Sequence, residues 1–475
     1  MGARTFLVLS VLCLAGEWWR GRGAEARGGD PARPIPLVDR FLSSHTSHLK
    51  NAKYISKPSV LVSNRRSLPK QMHDRSIMHM DLDTFFVSVE RLLDSRLNNK
   101  PVLIGGTSDR GVVAACSYEA RQFGIHSAMP MRMAKELCPG AITIRGNSGT
   151  YMKYSSMVTD IVAEHVPVYE KTSVDEFYCD LSGMDRFFGC MKFASELRQR
   201  IIHETGLPIS FGLSQNKTVS KVATGEAKPN NELRIDKGTE RPFLAPLSIR
   251  KVPMVGDKTY QTLRNLGIRQ IRTVQDMPVD MMEQVLGQPG VGIWKKCNGI
   301  DNSSVVQYNE RKSISTERTF DKDTIDVHKL RGILIAMTEN LAYQLRRGEK
   351  LSACVTLKIR YSDFNTYTLQ RRVPYTSADH LLVPLVLELF NKLYNRRLLV
   401  RLVGVRFSHL VGGGYQINLF EDSEERMNLY QAMDRMRNRF GDRAVISAAG
   451  IGARTIGRSN PFNGEPPPLL ANRRQ

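Results

Sequence analysis

The sequence predicts a protein of several domains whose main core mixes strands and helices, of the α/β or α+β class. The chain has 475 residues, which is more than a single hydrophobic core usually serves. Between residues 77 and 240, strand-like runs alternate with segments of helical periodicity. Between residues 316 and 420, long strand patterns dominate instead, which indicates a further domain of a different kind.

The elements of the first region follow in chain order. The segment IMHMDLDTFFVSVE, residues 77–90, predicts a strand that runs into a helix. Short strands and helices then alternate up to about residue 166, and VYEKTSVDEFYCDLSGM predicts two strands joined by a tight turn. Residues 190–204 have the periodicity of an amphipathic helix, and LPISFGLSQNKTVSKVATGEAKPNN predicts a strand, a turn and a helix.

Composition divides the remaining chain. Residues 241–308 predict a smaller helical region, which a polar and basic linker follows at residues 309–315. Residues 316–421 predict a hairpin, a helix at about residues 379–395 and a further strand. Residues 422–475 predict a helix and then a tail rich in Pro, Asn and Arg, which we expect to be disordered.

The N-terminal extension, residues 1–76, departs from this pattern. It begins with MGARTFLVLSVLCLAGEWWRGRGAEA, whose early Arg, short apolar run and small residues resemble a secretory signal. The apolar run is too short to span a bilayer. Either the segment is a real targeting sequence, or translation starts at Met72, Met78 or Met80. We favour the later start and therefore expect a cytoplasmic protein, with a largely disordered extension in the sequence as given.

The charge balance indicates a polyanionic partner. The net charge is +21 and the pI is about 9.8, which favours nucleic acid first and an anionic membrane surface second. The alternative is a basic, soluble surface without such a partner. The seven cysteines are odd in number and form no CxxC pair. This pattern excludes a disulfide framework and a cysteine zinc site, and it is typical of a reducing compartment.

Two acidic pairs interrupt strand-like segments. Asp81 and Asp83 are one residue apart, so their side chains point to the same face of a strand. Asp175 and Glu176 lie at the predicted tight turn, which antiparallel pairing can bring beside Asp81. Three converging carboxylates repel one another unless a cation is present, and oxygen-only ligands favour Mg²⁺ over zinc. Taken alone, the DLD segment is more often an ordinary turn or helix cap.

Candidate phosphate-binding side chains lie on two predicted helices. Tyr118 and Arg121, three residues apart, share one helix face, and a hydroxyl beside a guanidinium suits a polyphosphate. Lys217 and Lys221 share a face of a later helix, and Lys228 precedes the proline that ends that helix. The alternative is that these are ordinary solvated basic residues.

Six segments, in this order, resemble the motifs of the Y-family DNA polymerases, closest to the DinB branch that includes bacterial DNA polymerase IV: MDLDTFFVSVE, ACSYEARQFGI, SVDEFYCDL, SKVATGEAKPN, KSISTERTF and GVRFSHL. The resemblance implies an α+β right-handed polymerase with a ferredoxin-like palm, small fingers, a helical thumb and a β-rich little finger. It assigns the palm and fingers to 77–240 (fingers about 90–146), the thumb with a helix-hairpin-helix to 241–308, a linker to 309–315 and the little finger to 316–421.

The resemblance also implies roles for the acidic residues. It makes Asp81, Asp175 and Glu176 the catalytic ligands of two Mg²⁺ ions, together with the backbone carbonyl of Leu82. Asp83 matches no ligand position and is expected to support the structure. Rival readings are a nucleotidyl cyclase, which predicts neither a thumb nor a basic β-domain, and a non-catalytic scaffold, which predicts the loss of at least one of these carboxylates.

Substrate contacts follow from the same resemblance. Phe86, expected at the end of the first strand, matches the steric gate that excludes ribonucleotides, and Tyr118, Arg121 and Lys228 match contacts to the triphosphate. The implied reaction is attack of a primer 3′-hydroxyl on the α-phosphate of a dNTP, directed by a template. The implied role is translesion synthesis in DNA damage tolerance and repair, of low fidelity and without proofreading, by a monomer that binds primer–template DNA and no membrane.

Two further features bear on partners. Gln416, Leu419 and Phe420 form a Q-x-x-L-F sequence that resembles the peptide with which bacterial polymerases bind the sliding clamp, although an ordinary closing strand is the alternative. The thumb segment VPMVGDKTYQTLRNLGI resembles a hairpin that binds DNA phosphates, but Met254 stands where the family pattern has Gly. This difference puts the tightness of the hairpin in doubt.

Overall fold

The computed structural model describes residues 74–108, 110–184, 189–307, 310–413, 424–441 and 444–451. The chain divides into two units, Met1–Lys70 and Gln71–Gln475, and every described residue belongs to the second. The N-terminal extension up to residue 73, the clamp-like sequence and the C-terminal tail from residue 454 lie outside the described residues. Among the described helices, none combines the length and the apolar character that crossing a membrane requires.

A five-stranded sheet forms the centre of the first region. Its strands are β1 (Ile77–Leu82), β5 (Tyr169–Lys171), β6 (Glu176–Asp180), β7 (Ile209–Ser214) and β8 (Glu232–Arg234), in the order β5-β6-β1-β7-β8. Neighbours are antiparallel except β7 and β8. Its helices are α1 (Phe85–Leu93), α4 (Ser148–His165), α5 (Cys190–Thr205) and α6 (Lys217–Ala227). The helix predicted at residues 190–204 is thereby confirmed.

Strand β1 separates two environments. Met78 and Met80 are buried in the main core with residues of α4 and α5. His79 and Asp81 alternate with them and contact α6 and the lysine that follows it. The close approach of α6 to the sheet requires Gly212, because a Cβ atom there would lie 2.3 Å from the carbonyl oxygen of Ser220.

A small three-stranded sheet inserts between β1 and β5. Strands β2 (Val102–Gly105), β3 (Val113–Cys116) and β4 (Ile142–Ile144) lie in the order β3-β2-β4. Two short helices accompany them, α2 (Tyr118–Arg121) and α3 (Met131–Leu137). Together they enclose a separate small core, which includes Leu103, Ile125 and Met131.

Short helices follow the central sheet: α7 (Glu240–Leu244), α8 (Asp257–Asn265), α9 (Ile271–Gln275), α10 (Val279–Leu286) and α11 (Gln288–Cys297). Their buried residues form one core with the inner face of α6. Helix α8 begins after Gly256, at the predicted helix-hairpin-helix. Two residues earlier, Met254 has a φ of +84°, a region that favours glycine.

The last region is a four-stranded antiparallel sheet with helices. Strands β9 (Ser313–Thr324), β10 (Lys350–Tyr361), β11 (Thr366–Thr376) and β12 (Val400–Gly412) lie in the order β11-β10-β12-β9. The accompanying helices are α12 (Val327–Arg347), α13 (Asp379–Leu393) and α14 (Glu424–Phe440). The helix predicted at about residues 379–395 is confirmed, as is the helix predicted after residue 422.

Candidate active site

The central sheet brings the three predicted ligand carboxylates together. Asp81 and Glu176 are directly paired in the register of β1 and β6, so their side chains lie on the same face. The amide of Leu82 donates to the carbonyl oxygen of Asp175 at 3.0 Å. The tight turn between β5 and β6 therefore ends beside the last residues of β1, as the pattern predicts.

Burial and mutual repulsion disfavour the ionised forms of Asp81 and Asp175. Burial raises the pKa of Asp81 to about 7, Lys228 opposes the shift, and repulsion from Asp175 and Glu176 adds to it. Burial also raises the pKa of Asp175, an effect that its contact with Ser173 opposes. Carboxylates in such a setting are stabilised in their ionised form by nearby cations.

Two lysines, one within α6 and one immediately after it, supply positive charge. The Lys228 amino group contacts Asp81 and lies 3.5 Å from Oδ1 of Asp83. Lys221 donates to both carboxylate oxygens of Glu176 at 2.7 Å. Helix α6 begins where Asn216 accepts from the amide of Val219, and the proline after Lys228 ends it, which directs Lys228 to the site.

Lys217 does not belong to this cluster. Its amino group donates to Oε2 of Glu170 at 2.7 Å, and the same oxygen accepts from the amide of Val306. Although Lys217 and Lys221 share a helix face, Lys217 therefore joins the central sheet to the segment after α11.

Asp83 is a fixed part of the scaffold. Its side chain is 2% exposed, and its Oδ2 accepts from the Ser210 hydroxyl at 2.8 Å and from the Asn230 amide at 2.6 Å. The Tyr118 hydroxyl donates to its Oδ1 at 3.5 Å. These contacts agree with the supporting role expected for Asp83.

The donor set fits a hard divalent cation, because it consists of carboxylate and carbonyl oxygens alone. Among the residues that the structure describes, however, no group of three His, Cys, Asp or Glu side chains is gathered closely enough to hold an ion. Asp81 and Glu176 are instead each bound by a lysine. The assignment of metal ligands therefore rests on the chemistry and proximity of these side chains.

Tyr118 and Arg121, the first and last residues of α2, form a pair of which Tyr118 contacts Asp83. The Arg121 guanidinium lies over the Tyr118 ring, 5.0 Å from its centroid, and Tyr118 reaches Asp83. Burial raises the pKa of the Tyr118 hydroxyl, and the charge of Asp83 adds to this effect, so the hydroxyl remains a hydrogen-bond donor. Helix α2 begins at Ser117, whose hydroxyl accepts from the amide of Ala120.

Phe86 lies in a helix and not, as expected, at the end of a strand. Strand β1 ends at Leu82, Thr84 has a φ of +42°, and Phe86 lies in the first turn of α1. The expectation that it ends the strand is wrong, because the chain reverses at Thr84 and starts a helix. The half-buried ring of Phe86 stacks on Tyr151, with centroids 4.4 Å apart and planes inclined by 21°.

Sequence reasoning missed several residues that shape the site. Tyr151 lies on α4 and donates to Glu90 at 2.6 Å, yet only its helical spacing was visible in the sequence. Ser173 contacts the Asp175 carboxylate and accepts from the amide of Glu176 at 3.1 Å. A hydroxyl two residues before an acidic pair in a tight turn is a local signal that could have identified Ser173.

Comparison with known proteins identifies the class. A family model described as impB/mucB/samB family matches residues 80–225, and the model of its C-terminal domain matches residues 311–419. A DNA polymerase IV of Dehalococcoides mccartyi is 38% identical over 378 residues, which are 79% of this chain and 97% of the relative. A DNA polymerase IV of Treponema denticola is 34% identical over 334 residues, 70% of this chain and 85% of the relative.

Solved structures agree in fold. A Y-family DNA polymerase chimera, Dbh-Dpo4(243-245)-Dbh, has a TM-score of 0.63 at 24% identity, and an insertion ternary complex of Dbh DNA polymerase has a TM-score of 0.53 at 24% identity. Each is matched over 71% of this chain and 100% of its own. The fold is the α+β fold of Y-family polymerases. The chain belongs to the impB/mucB/samB family, the Y-family DNA polymerases, which confirms the resemblance found in its motifs.

Proposed function

We propose that this protein is a template-directed DNA polymerase of the translesion type, which adds dNTPs to a primer 3′-hydroxyl. The convergence of Asp81, Asp175 and Glu176 at one end of the central sheet carries this proposal. Membership of the Y-family supports it. A non-catalytic scaffold predicts the loss of at least one of these carboxylates, but all three are present in the sequence.

Asp81, Asp175, Glu176 and the carbonyl of Leu82 would hold two Mg²⁺ ions. When bound, the ions neutralise phosphate charge and increase the nucleophilicity of the primer hydroxyl. The protein's own contribution is to carry these oxygen atoms at one end of the central sheet, where Lys228 and Lys221 bind Asp81 and Glu176.

Lys228, Tyr118 and Arg121 bind the triphosphate in this proposal. Lys228 ends helix α6 facing Asp81, so its ammonium is placed to contact phosphate oxygens next to the carboxylates. The Arg121 guanidinium supplies paired donors, and stacking on Tyr118 limits its freedom. Asp83 contacts both Tyr118 and Lys228 at 3.5 Å and so helps to hold them in position.

Phe86 selects the sugar. Its ring is held against Tyr151, so an additional 2′-hydroxyl beneath the ribose meets an aromatic ring that does not move aside. A site of this kind rejects the larger substrate by steric overlap.

The remaining regions bind DNA and partners. We assign residues 77–240 to the palm and fingers (fingers about 90–146), 241–308 to the thumb, 309–315 to a linker and 316–421 to the little finger. The high net positive charge of the chain favours contacts of these regions with the phosphates of primer–template DNA. We further propose binding of a bacterial sliding clamp through Gln416, Leu419 and Phe420, and action as a cytoplasmic monomer in damage tolerance and repair, at low fidelity and without proofreading.

Primer extension with Mg²⁺ on undamaged and lesion-containing templates tests the proposal. The parent protein should extend both, and Asp175→Ala or Glu176→Ala should abolish extension while DNA binding stays within about twofold of the parent, because phosphate contacts elsewhere dominate affinity. Near-normal extension by either variant would contradict the ligand assignment. Failure of the parent on every template would contradict the function itself.

A further inference from the structure

The turn that carries Asp175 and Glu176, the acidic turn, is connected to a very short strand. It joins β6 to β5, which has three residues, Tyr169–Lys171, and is an edge strand of the sheet. Within the hairpin, the amide of Thr172 donates to the carbonyl oxygen of Glu176 at 3.1 Å. So short an edge strand leaves the position of a turn loosely specified, although Asp175 and Glu176 need fixed positions to act together.

A buried hydroxyl on helix α4 supplies an additional tether. Ser155, which is fully buried, donates to the carbonyl oxygen of Val174 at 2.5 Å. Val174 immediately precedes Asp175, and the carbonyl of Asp175 is in turn bound by the amide of Leu82. The backbone that carries the acidic pair is therefore held from the helix on one side and from β1 on the other.

A lysine determines which way this hydroxyl points. Lys171 donates to the Ser155 hydroxyl oxygen at 2.8 Å and to the Thr159 hydroxyl oxygen at 2.6 Å. An ammonium group has only donors, so Ser155 must accept from it and direct its own proton elsewhere. Serine in a helix commonly donates to the carbonyl four residues earlier. Here the proton goes to Val174 instead, across the gap between α4 and the turn.

Retaining a cation at this position is costly for the protein. Burial lowers the pKa of Lys171 to about 8, against the attraction of Asp160 and Asp175. The ammonium also lies 5.4 Å from the centre of the Phe177 ring. An apolar side chain of similar length would fill this space without the desolvation cost, so packing alone does not explain the lysine.

We propose that Lys171 and Ser155 are positioning residues, which hold the turn so that Asp175 and Glu176 converge with Asp81 on the metal ions. This inference rests on the proposed function, since it assumes that these carboxylates are ligands. Neither residue is among the assigned ligands. Ser155 acts through the Val174 carbonyl and Lys171 through the Ser155 hydroxyl, one step further from the ions than partners bonded directly to a ligand.

The test uses the full chain with the substitutions Ser155→Ala and Lys171→Met. Mn²⁺ binding to the DNA-free protein is measured by electron paramagnetic resonance, and the Mg²⁺ concentration for half-maximal primer extension is measured separately. Ser155→Ala should weaken Mn²⁺ binding and raise the Mg²⁺ requirement by about tenfold, the usual effect of losing an outer partner. Lys171→Met should shift both in the same direction, while its melting temperature equals or exceeds that of the parent.

Thr338→Val is the matched control. The Thr338 hydroxyl is fully buried and donates to the Leu334 carbonyl at 2.7 Å in α12, far along the chain from the acidic turn. Parent-like metal dependence in both variants, or an equal shift in the control, would overturn the inference. If Ser155→Ala does not fold, Lys171→Met decides the question.

Asp175→Ala separates this inference from the proposed function. If that variant still extends primers, the ligand assignment fails and the positioning role fails with it. If it is inactive while Ser155→Ala and Lys171→Met respond to metal like the parent, only the positioning role is wrong.

Discussion

The rings of Phe86 and Tyr151 are stacked, with centroids 4.4 Å apart. They come from different helices, α1 and α4, and the Tyr151 hydroxyl is fixed by Glu90, also on α1. Phe86 is therefore held by an aromatic partner that is itself hydrogen-bonded. A steric gate needs this rigidity, because a mobile ring would yield to an additional hydroxyl.

The first prediction concerns sugar choice. Phe86→Val should raise the incorporation of rNTPs relative to dNTPs by about 100-fold or more, since a steric clash worth about 3 kcal/mol is removed. Tyr151→Leu should relax the selection less, because the ring of Phe86 remains but loses its support. The measurement is kcat/KM for an rNTP and for its matching dNTP in each variant.

Phe211→Leu serves as the control for this prediction. Phe211 lies on β7 and is buried in the main core, so its replacement should lower stability and leave sugar selection unchanged. Selection that persists unaltered in Phe86→Val would show that the assignment of the gate to this residue is wrong.

The sequence predicts the acidic residues of the site better than the residues that hold them in position. Asp81 and Glu176 could be placed together because strand alternation and a tight turn are local patterns, and antiparallel pairing then leaves few arrangements. Tyr151, Ser155 and Lys171 could not be found, because each acts through a partner on another element that sequence spacing does not reveal.

The secondary structure at Phe86 could not be predicted from local sequence patterns. The apolar run Phe85, Phe86 and Val87 suits a continuing strand as well as a buried helix, since β-branched and aromatic residues occur in both. The reversal at Thr84, with its positive φ, carries no glycine or proline to mark it. The sequence therefore does not mark the end of β1, which follows only from the register of β1 with β6 and β7.

The second prediction concerns the hairpin before α8, in the proposed thumb. Met254 has a φ of +84° and is 65% exposed, so its side chain gains little burial in return for a strained backbone. Met254→Gly should stabilise the protein by about 1 kcal/mol, the usual cost of a left-handed conformation for a residue with a Cβ. Chemical denaturation measures the difference.

Met281→Gly is the control for the hairpin. Met281 is 49% exposed and lies within helix α10, where the same substitution should destabilise by about 1 kcal/mol. A loss of stability in Met254→Gly as well would show that the hairpin does not store the strain that its φ implies.

The third prediction concerns the attachment of helix α14, which lies beyond the matched C-terminal domain. Arg346 on α12 binds Asp434 of this helix through two donors, at 2.6 and 3.0 Å, and Asp379 at 2.9 Å. Arg346→Met should destabilise the region of the four-stranded sheet by about 3–5 kcal/mol, because it leaves the buried carboxylate of Asp379 without this cation. Differential scanning calorimetry should show this as a lower melting temperature.

Arg371→Met provides the comparison for that ion pair. Arg371 binds Glu388 at 2.6 Å, but both side chains are largely exposed, so the loss should be below about 1 kcal/mol. Equal effects of the two substitutions would mean that Arg346 contributes no more than a surface ion pair.

The last prediction concerns the pH dependence of stability at Lys171. Burial lowers the pKa of this lysine from 10.5 to about 8 in the folded protein. Below pH 8 both the folded and the unfolded chains carry its proton, so folding bears the whole cost of burying the charge. Between pH 8 and 10.5 the unfolded chain retains the proton and the folded chain releases it, and the parent therefore gains stability with rising pH relative to a variant without the lysine. Lys171→Met should accordingly exceed the parent in melting temperature at pH 7, and this advantage should shrink steadily as the pH is raised to 10. Other groups titrate in both proteins and cancel in the difference. A constant difference across this range would contradict a lowered pKa for Lys171, and a variant less stable than the parent at pH 7 would mean that the lysine is held for stability rather than for placing the acidic turn.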